Sequence, residues 1–251
     1  MTYTENFKKA VELAAKNIKF YLGTGNPDAK ILIVGKELGF ENQEQAEREV
    51  TNNIPQWEEN IRKNFSIEDI KCYSETEVYN PLFPYKGQIA KKDNEKNNGT
   101  SVTWLNYQKL HDDIYCAKSK TKEINFHKDF FLTEINQPPS KSSKEQDKDK
   151  RKESIECRKK FIHDSDFFQS FPITILTCKA YISDPQELFV NKLLGGEEVL
   201  KIARNPCKIY FSEDKKKIVI LTRQLSNSFK KELLEKISSE IQVFIKGQSK
   251  T

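Results

Sequence analysis

The chain has 251 residues, of which 31% are charged, 36% hydrophobic and 11% aromatic, with a formal net charge of +5. That length allows a sizeable core in a single domain spanning residues 1–251, and the aromatic content and clear apolar runs argue against a disordered chain. No run approaches the ~18–20 apolar residues of a membrane span, so no membrane partner is expected.

The excess charge is not evenly spread. The first hundred residues carry 14 Lys and Arg against 16 Asp and Glu, the next hundred carry 16 against 16, and the last 51 carry 12 against 5. A basic excess confined to one end suits a polyanion. The five cysteines (Cys72, Cys116, Cys157, Cys178 and Cys207) are scattered, with no Cys-x-x-Cys spacing, and His111, His127 and His163 are equally dispersed. Neither a zinc knuckle nor an iron–sulfur cluster is suggested, and the expectation is no metal and no cofactor. Thr2–Lys9 is polar and no apolar stretch follows, which predicts a cytoplasmic protein without a signal peptide. A monomer is expected.

In chain order, residues 4–22 place Phe7, Ala10, Val11, Ala14, Ile18 and Tyr21 at helical spacing, with Thr2 and Glu5 as a capping box. Residues 23–28 turn the chain into Ile31-Leu32-Ile33-Val34, a strand buried on both faces, which runs directly into Gly35-Lys36-Glu37-Leu38-Gly39. Glycine at a strand's carboxyl end permits a sharp turn and close approach of a ligand, and in open α/β sheets ligands bind at that edge. Glu37 therefore stands where a carboxylate could do chemistry. Residues 41–65 read as helical, with Pro55 starting a second piece that contains Trp57 and Ile61.

Residues 79–88 hold two prolines, a glycine and three aromatics, so they form an irregular loop that either packs on the domain or lines a pocket. Residues 91–99 read as a solvated loop. Residues 103–115 read as a helix with Trp104, Tyr107, Leu110, Ile114 and Tyr115 inward, and residues 129–136 as a second buried strand. Residues 137–152, rich in Ser, Lys and Asp, are the candidate mobile segment. A helix over 153–168, a third buried strand over 171–178, a hairpin from 209–211 to 218–221 and a closing amphipathic helix with Phe229, Leu233, Ile237 and Ile241 complete the chain. Strands alternating with helices predict a three-layer α/β/α fold around a mostly parallel, roughly four-stranded sheet.

The order of segments resembles the uracil-DNA glycosylase superfamily, of which this would be a divergent member. Residues 25–39 are similar to that family's first strand and active-site loop, with Glu37 at the water-handling position and Leu38 replacing a proline. Leu82-Phe83-Pro84-Tyr85-Lys86-Gly87 resembles the segment that stacks an aromatic on the flipped base. Phe131-Leu132-Thr133-Glu134 looks like the second strand, with Glu134 in place of a base-reading asparagine and Asn136 two residues later. Gln224-Leu225-Ser226 occupies the place of a His-Pro-Ser loop.

The resemblance implies hydrolysis of the N-glycosidic bond of uracil or a related damaged base in single- or double-stranded DNA, or else a catalytically degenerate binder of nucleic acid or nucleotide. Such a reaction makes a cationic sugar and an anionic base, so it needs a carboxylate for water, a stacking surface and a donor to the leaving oxygen. Glu37 and Gln224 are the candidate catalytic residues. Gly35, Phe83, Tyr85, Glu134 and Asn136 are the candidate base-binding residues. Arg223, Ser226 and Asn227, at the expected amino end of the last helix, are the candidate phosphate contacts; an ordinary capped helix is the plainer reading there. A small-molecule α/β enzyme using the Glu37 pocket is a third reading.

Overall fold

Four apolar runs, each flanked by helices, form parallel strands at the centre of one sheet. The computed structural model describes residues 3–16, 21–39, 43–71, 79–89, 100–115, 123–139, 147–202, 205–226 and 231–248. Expectations for Thr2, Ile18, the loop at 91–99, Asn227, Phe229, Cys72 and Cys116, and for residues 140–146 of the candidate mobile segment, lie outside these residues. Strands β1 (Thr24–Gly25), β2 (Ile31–Gly35), β3 (Phe130–Glu134), β4 (Ile173–Leu176), β5 (Leu193–Ile202), β6 (Asn205–Ser212) and β7 (Ile218–Leu221) lie in the order β1-β3-β2-β4-β7-β6-β5. The run β3-β2-β4-β7 is parallel, while β1 and the β6-β5 pair add antiparallel edges. Among the described residues the sheet thus has seven strands rather than about four. The four expected from apolar runs are the parallel ones, and the expected hairpin is β6–β7.

The helices are α1 (Glu5–Lys16), α2 (Gln43–Lys63), α3 (Val102–Ile114), α4 (Lys148–Asp164), α5 (Asp166–Gln169) and α6 (Lys231–Gln248). Alternate residues of β2 divide the core: Leu32 and Val34 pack with Phe7, Trp57, Phe161 and Phe167 of α1, α2, α4 and α5, whereas Ile31 and Ile33 pack with Tyr107 and Leu110 of α3 and Ile237 and Ile241 of α6. Helices therefore cover both faces, as the period-2 alternation of a strand buried on both sides demands. Each fully buried Leu, Ile or Phe of these stripes contributes about 1.5–3 kcal/mol of apolar burial.

Three local readings are corrected. The first helix is described over Glu5–Lys16 and does not include Tyr21 or Leu22, and Thr4 Oγ1 accepts from the Phe7 amide (3.2 Å) at its start. Pro55 does not start a new helix but lies inside a continuous α2. Side chains on either side of it are anchored: Asn53 Oδ1 accepts from the Leu22 amide (3.0 Å), and Trp57 Nε1 donates to the Gly23 carbonyl (3.0 Å). The helix expected from residue 153 starts earlier, at Lys148, where Asp147 caps the amides of Asp149 and Lys150. Among the described residues no helix is long and apolar enough to cross a membrane, and no cluster of three or more His, Cys, Asp or Glu is placed to hold a metal.

Candidate functional site

The parallel ladder does not stop at the strand ends. Ile135 and Asn136 amides donate to the carbonyls of Gly35 and Lys36 (3.1 and 2.8 Å), Thr177 to Val34 (2.9 Å), Thr222 to Leu176 (2.8 Å) and Lys179 to Thr222 (3.2 Å). These bonds carry the segments after β2, β3, β4 and β7 together past the carboxyl edge of the sheet, where open α/β folds place their ligands. A cavity of about 370 Å³ opens there, lined by Lys36, Thr177, Lys179, Ala180, Arg223, Gln224 and Ser226. Its far wall is fixed from below: Leu225 is buried in the core, and its carbonyl accepts from Asn106 Nδ2 on α3 (3.0 Å).

Two carboxyl groups stand at the same carboxyl edge, although neither is among the residues that line the cavity. The Glu37 side chain is only 8% exposed. It accepts a hydrogen bond from the Tyr181 hydroxyl (2.6 Å), and its other oxygen lies 3.8 Å from Lys36 Nζ. Glu134 stands opposite Gly35 across the β2–β3 pair. Its Oε2 is sealed from solvent and has no hydrogen-bond partner. Burial and the negative charge of Glu37 push the Glu134 carboxyl up to about 8, against the opposing pull of Arg158. Near neutral pH Glu134 is therefore chiefly protonated, which lowers the cost of enclosing an unpaired oxygen.

Gly35 has an ordinary negative φ, so its backbone needs no glycine. What requires glycine is space: a Cβ there would lie 2.7 Å from Glu134 Cδ and nearer still to Oε2. The expected sharp turn at Gly35 gives way to a different role, in which the missing side chain makes room for the neighbouring strand's carboxyl group. On the opposite face, fully buried Arg158 donates to Thr133 Oγ1 (2.7 Å) and to the Glu134 carbonyl (3.1 Å), and so holds the end of β3 from below.

The cavity wall is cationic. Lys36 is engaged with Glu37 and sits over the Tyr181 ring, 4.8 Å from its centroid. Lys179 and Arg223 have no ion-pair partner among the described residues. Partial burial and the nearby charge of Lys208 pull the Lys179 ammonium below the ordinary lysine range, with Glu198 opposing. A wall of this kind favours an anion.

The structure thus brings Gly35, Glu37, Glu134, Arg223, Gln224 and Ser226 to one edge, together with wholly buried Asn136, which continues the ladder from β3. Phe83 and Tyr85 are not among the residues lining the cavity. Phe83 is 4% exposed within the core, 5.8 Å from the His127 ring, and Tyr85, in a left-handed conformation (φ 60°), packs 4.7 Å from Trp104. His127 completes this aromatic group, stacked 4.1 Å from Phe126 and kept neutral by burial, which takes its pKa to about 3. Lys36, Thr177, Lys179 and Tyr181 belong to the site and were not expected. Their only sequence signal is that they follow buried strands by one to five residues. No protein-family model matches the chain, and no curated protein matches it.

Proposed function

We propose that the chain is a uracil-DNA glycosylase-like hydrolase that extrudes a nucleotide and cleaves its N-glycosidic bond. The observation that supports this reading is the union, at one sheet edge, of the Glu37–Glu134 carboxyl pair with a cavity lined by Lys36, Lys179, Arg223 and Gln224. Glu37 orients a water whose oxygen bonds to the sugar anomeric carbon as the bond to the base nitrogen breaks. The bonding electrons leave with the base, and the water proton passes to the carboxylate. The same negative charge favours the cationic sugar. Gln224 donates an amide hydrogen bond to the leaving oxygen. The enzyme uses no metal in this scheme.

A degenerate nucleic-acid- or nucleotide-binding protein is the second reading. The observation favouring it is that Glu37 is largely enclosed and already held by Tyr181 and Lys36. Base release from DNA containing uracil, hypoxanthine or xanthine separates the two. In an enzyme, Glu37→Gln slows release by ~10²–10⁴-fold with DNA affinity nearly unchanged, because the carboxylate acts mainly in the transition state. Absence of release by both the wild type and Gln224→His leaves only the binder.

A further inference from the structure

We infer that the cavity at the carboxyl edge is a binding site for a phosphate group, held by Lys36, Lys179 and Arg223 together with the Ser226 hydroxyl. The inference deepens the proposed function by naming the ligand chemistry, but it rests on the cavity alone. Three cationic side chains from three separate loops, after β2, β4 and β7, line one space of about 370 Å³. Lys179 and Arg223 are in no ion pair among the described residues, Glu198 acting on Lys179 only at longer range, although acidic side chains are abundant in the chain. Two unpaired cations beside a third are mutually repulsive, and Lys208 adds to the repulsion at Lys179. A compact dianion placed between them removes that repulsion and forms charge-assisted hydrogen bonds with each.

Size selects among anions. A volume near 370 Å³ lies at the lower end of small-molecule sites, large enough for one nucleotide unit but not for a stretch of duplex. The Ser226 hydroxyl and the Gln224 amide share the wall with the cations, as neutral partners for phosphate or sugar oxygens. The phosphate belongs either to a free nucleotide or to a nucleic-acid strand from which one nucleotide has been turned out.

The test is equilibrium binding, without turnover, by calorimetry at low salt. The ligands are inorganic phosphate, a deoxynucleoside monophosphate and a short single-stranded oligonucleotide, each with the wild type, Lys179→Gln, Arg223→Gln, the double variant and the control Lys160→Gln. Lys160 is an exposed residue on α4. Both substituted site positions are partly exposed, and circular dichroism checks that the variants fold. The expected result is saturable phosphate binding that weakens at least ~10-fold in the double variant and is unchanged in the control. For the oligonucleotide, the slope of log K against log salt should fall by about one for each cation removed that contacts a phosphate. Tighter binding of the monophosphate assigns a free nucleotide, and tighter binding of the oligonucleotide assigns a strand. No phosphate binding by the wild type, or binding equal in wild type and double variant, overturns the inference. Binding that depends on these residues in a protein without base release upholds it while removing the glycosylase.

Discussion

Replacing Glu134 by glutamine should flatten the pH dependence of stability, and the size of the change follows from the site. In the folded protein burial and Glu37 raise this carboxyl from 4.5 to about 8. A raised carboxyl holds its proton longer in the folded state than in the unfolded chain. Its contribution is therefore fully present below pH 4.5 and is lost as the pH rises through 8. At 1.36 kcal/mol per pH unit, the loss over that interval reaches about 5 kcal/mol at most, a large part of the usual 5–15 kcal/mol of a folded domain. Glutamine keeps the shape and cannot ionise. Urea unfolding of both proteins at intervals from about pH 5 to 8 should show the variant gaining on the wild type by up to about 1.4 kcal/mol per unit. Any constant cost of placing an amide beside the sealed oxygen position shifts the whole curve without altering its slope. Parallel curves for the two proteins would mean that Glu134 ionises normally, and the reasoning about its enclosure over Gly35 would be refuted.

Gly35→Ala should displace the Glu134 carboxyl, cost about 1–3 kcal/mol by overpacking, and weaken the same pH dependence, all readable from the same urea series. Arg158→Leu leaves Thr133 Oγ1 and the Glu134 carbonyl without their buried donor and should lower stability by about 3 kcal/mol, seen as a lower urea midpoint. Lys217, buried at the start of β7 with its ammonium on the Phe171 carbonyl, is pulled from 10.5 to about 8 by burial. The unfolded chain binds the extra proton between those values, so wild-type stability should rise from pH 8 to 10.5, and that rise should be absent in Lys217→Met.

The parts of the fold that were legible in sequence are those whose pattern is decided by burial on both faces. Ile31–Val34, Phe130–Leu132, Ile173–Leu176 and Ile218–Leu221 are apolar runs, broken only by Thr174, because helices cover them on each side. β5 was missed for the opposite reason. It is an edge strand that reads Leu-Leu-Gly-Gly-Glu-Glu-Val-Leu-Lys-Ile, with register breaks between Gly195 and Glu197 and between Glu198 and Leu200, and solvent on one side removes the need for an apolar run. Pro55 was misread because local chemistry favours a helix start at proline, whereas Asn53 and Trp57 tie both neighbouring turns of α2 to residues 22 and 23. At the site, Glu37, Glu134 and Gln224 could be found because each follows a recognisable strand. Lys36 and Lys179 could not, since a lysine beside a strand end looks like any solvated lysine until the neighbouring strands are known. Phe83 and Tyr85 show the converse: an aromatic loop that sequence could assign to a pocket serves, with Trp104, Phe126 and His127, to close the β1–β3 edge.

The cavity's dependence on three distant loops bears on how the protein acquires it. Lys36 is made early in the chain and Arg223 near its end, and they meet only when β7 has joined β4 beside β2. The cationic wall exists only where β2, β4 and β7 are paired, non-local pairings that a parallel sheet forms slowly. An anion seated there cannot be a local clamp on one loop. Its binding energy is set against opening of the whole sheet, and at a hundred times its dissociation constant it adds about 2.7 kcal/mol to global unfolding. Slowed exchange of the amides of Ile33, Ile175 and Ile220, deep in the three central strands, would then report occupancy of a site that none of those residues touches.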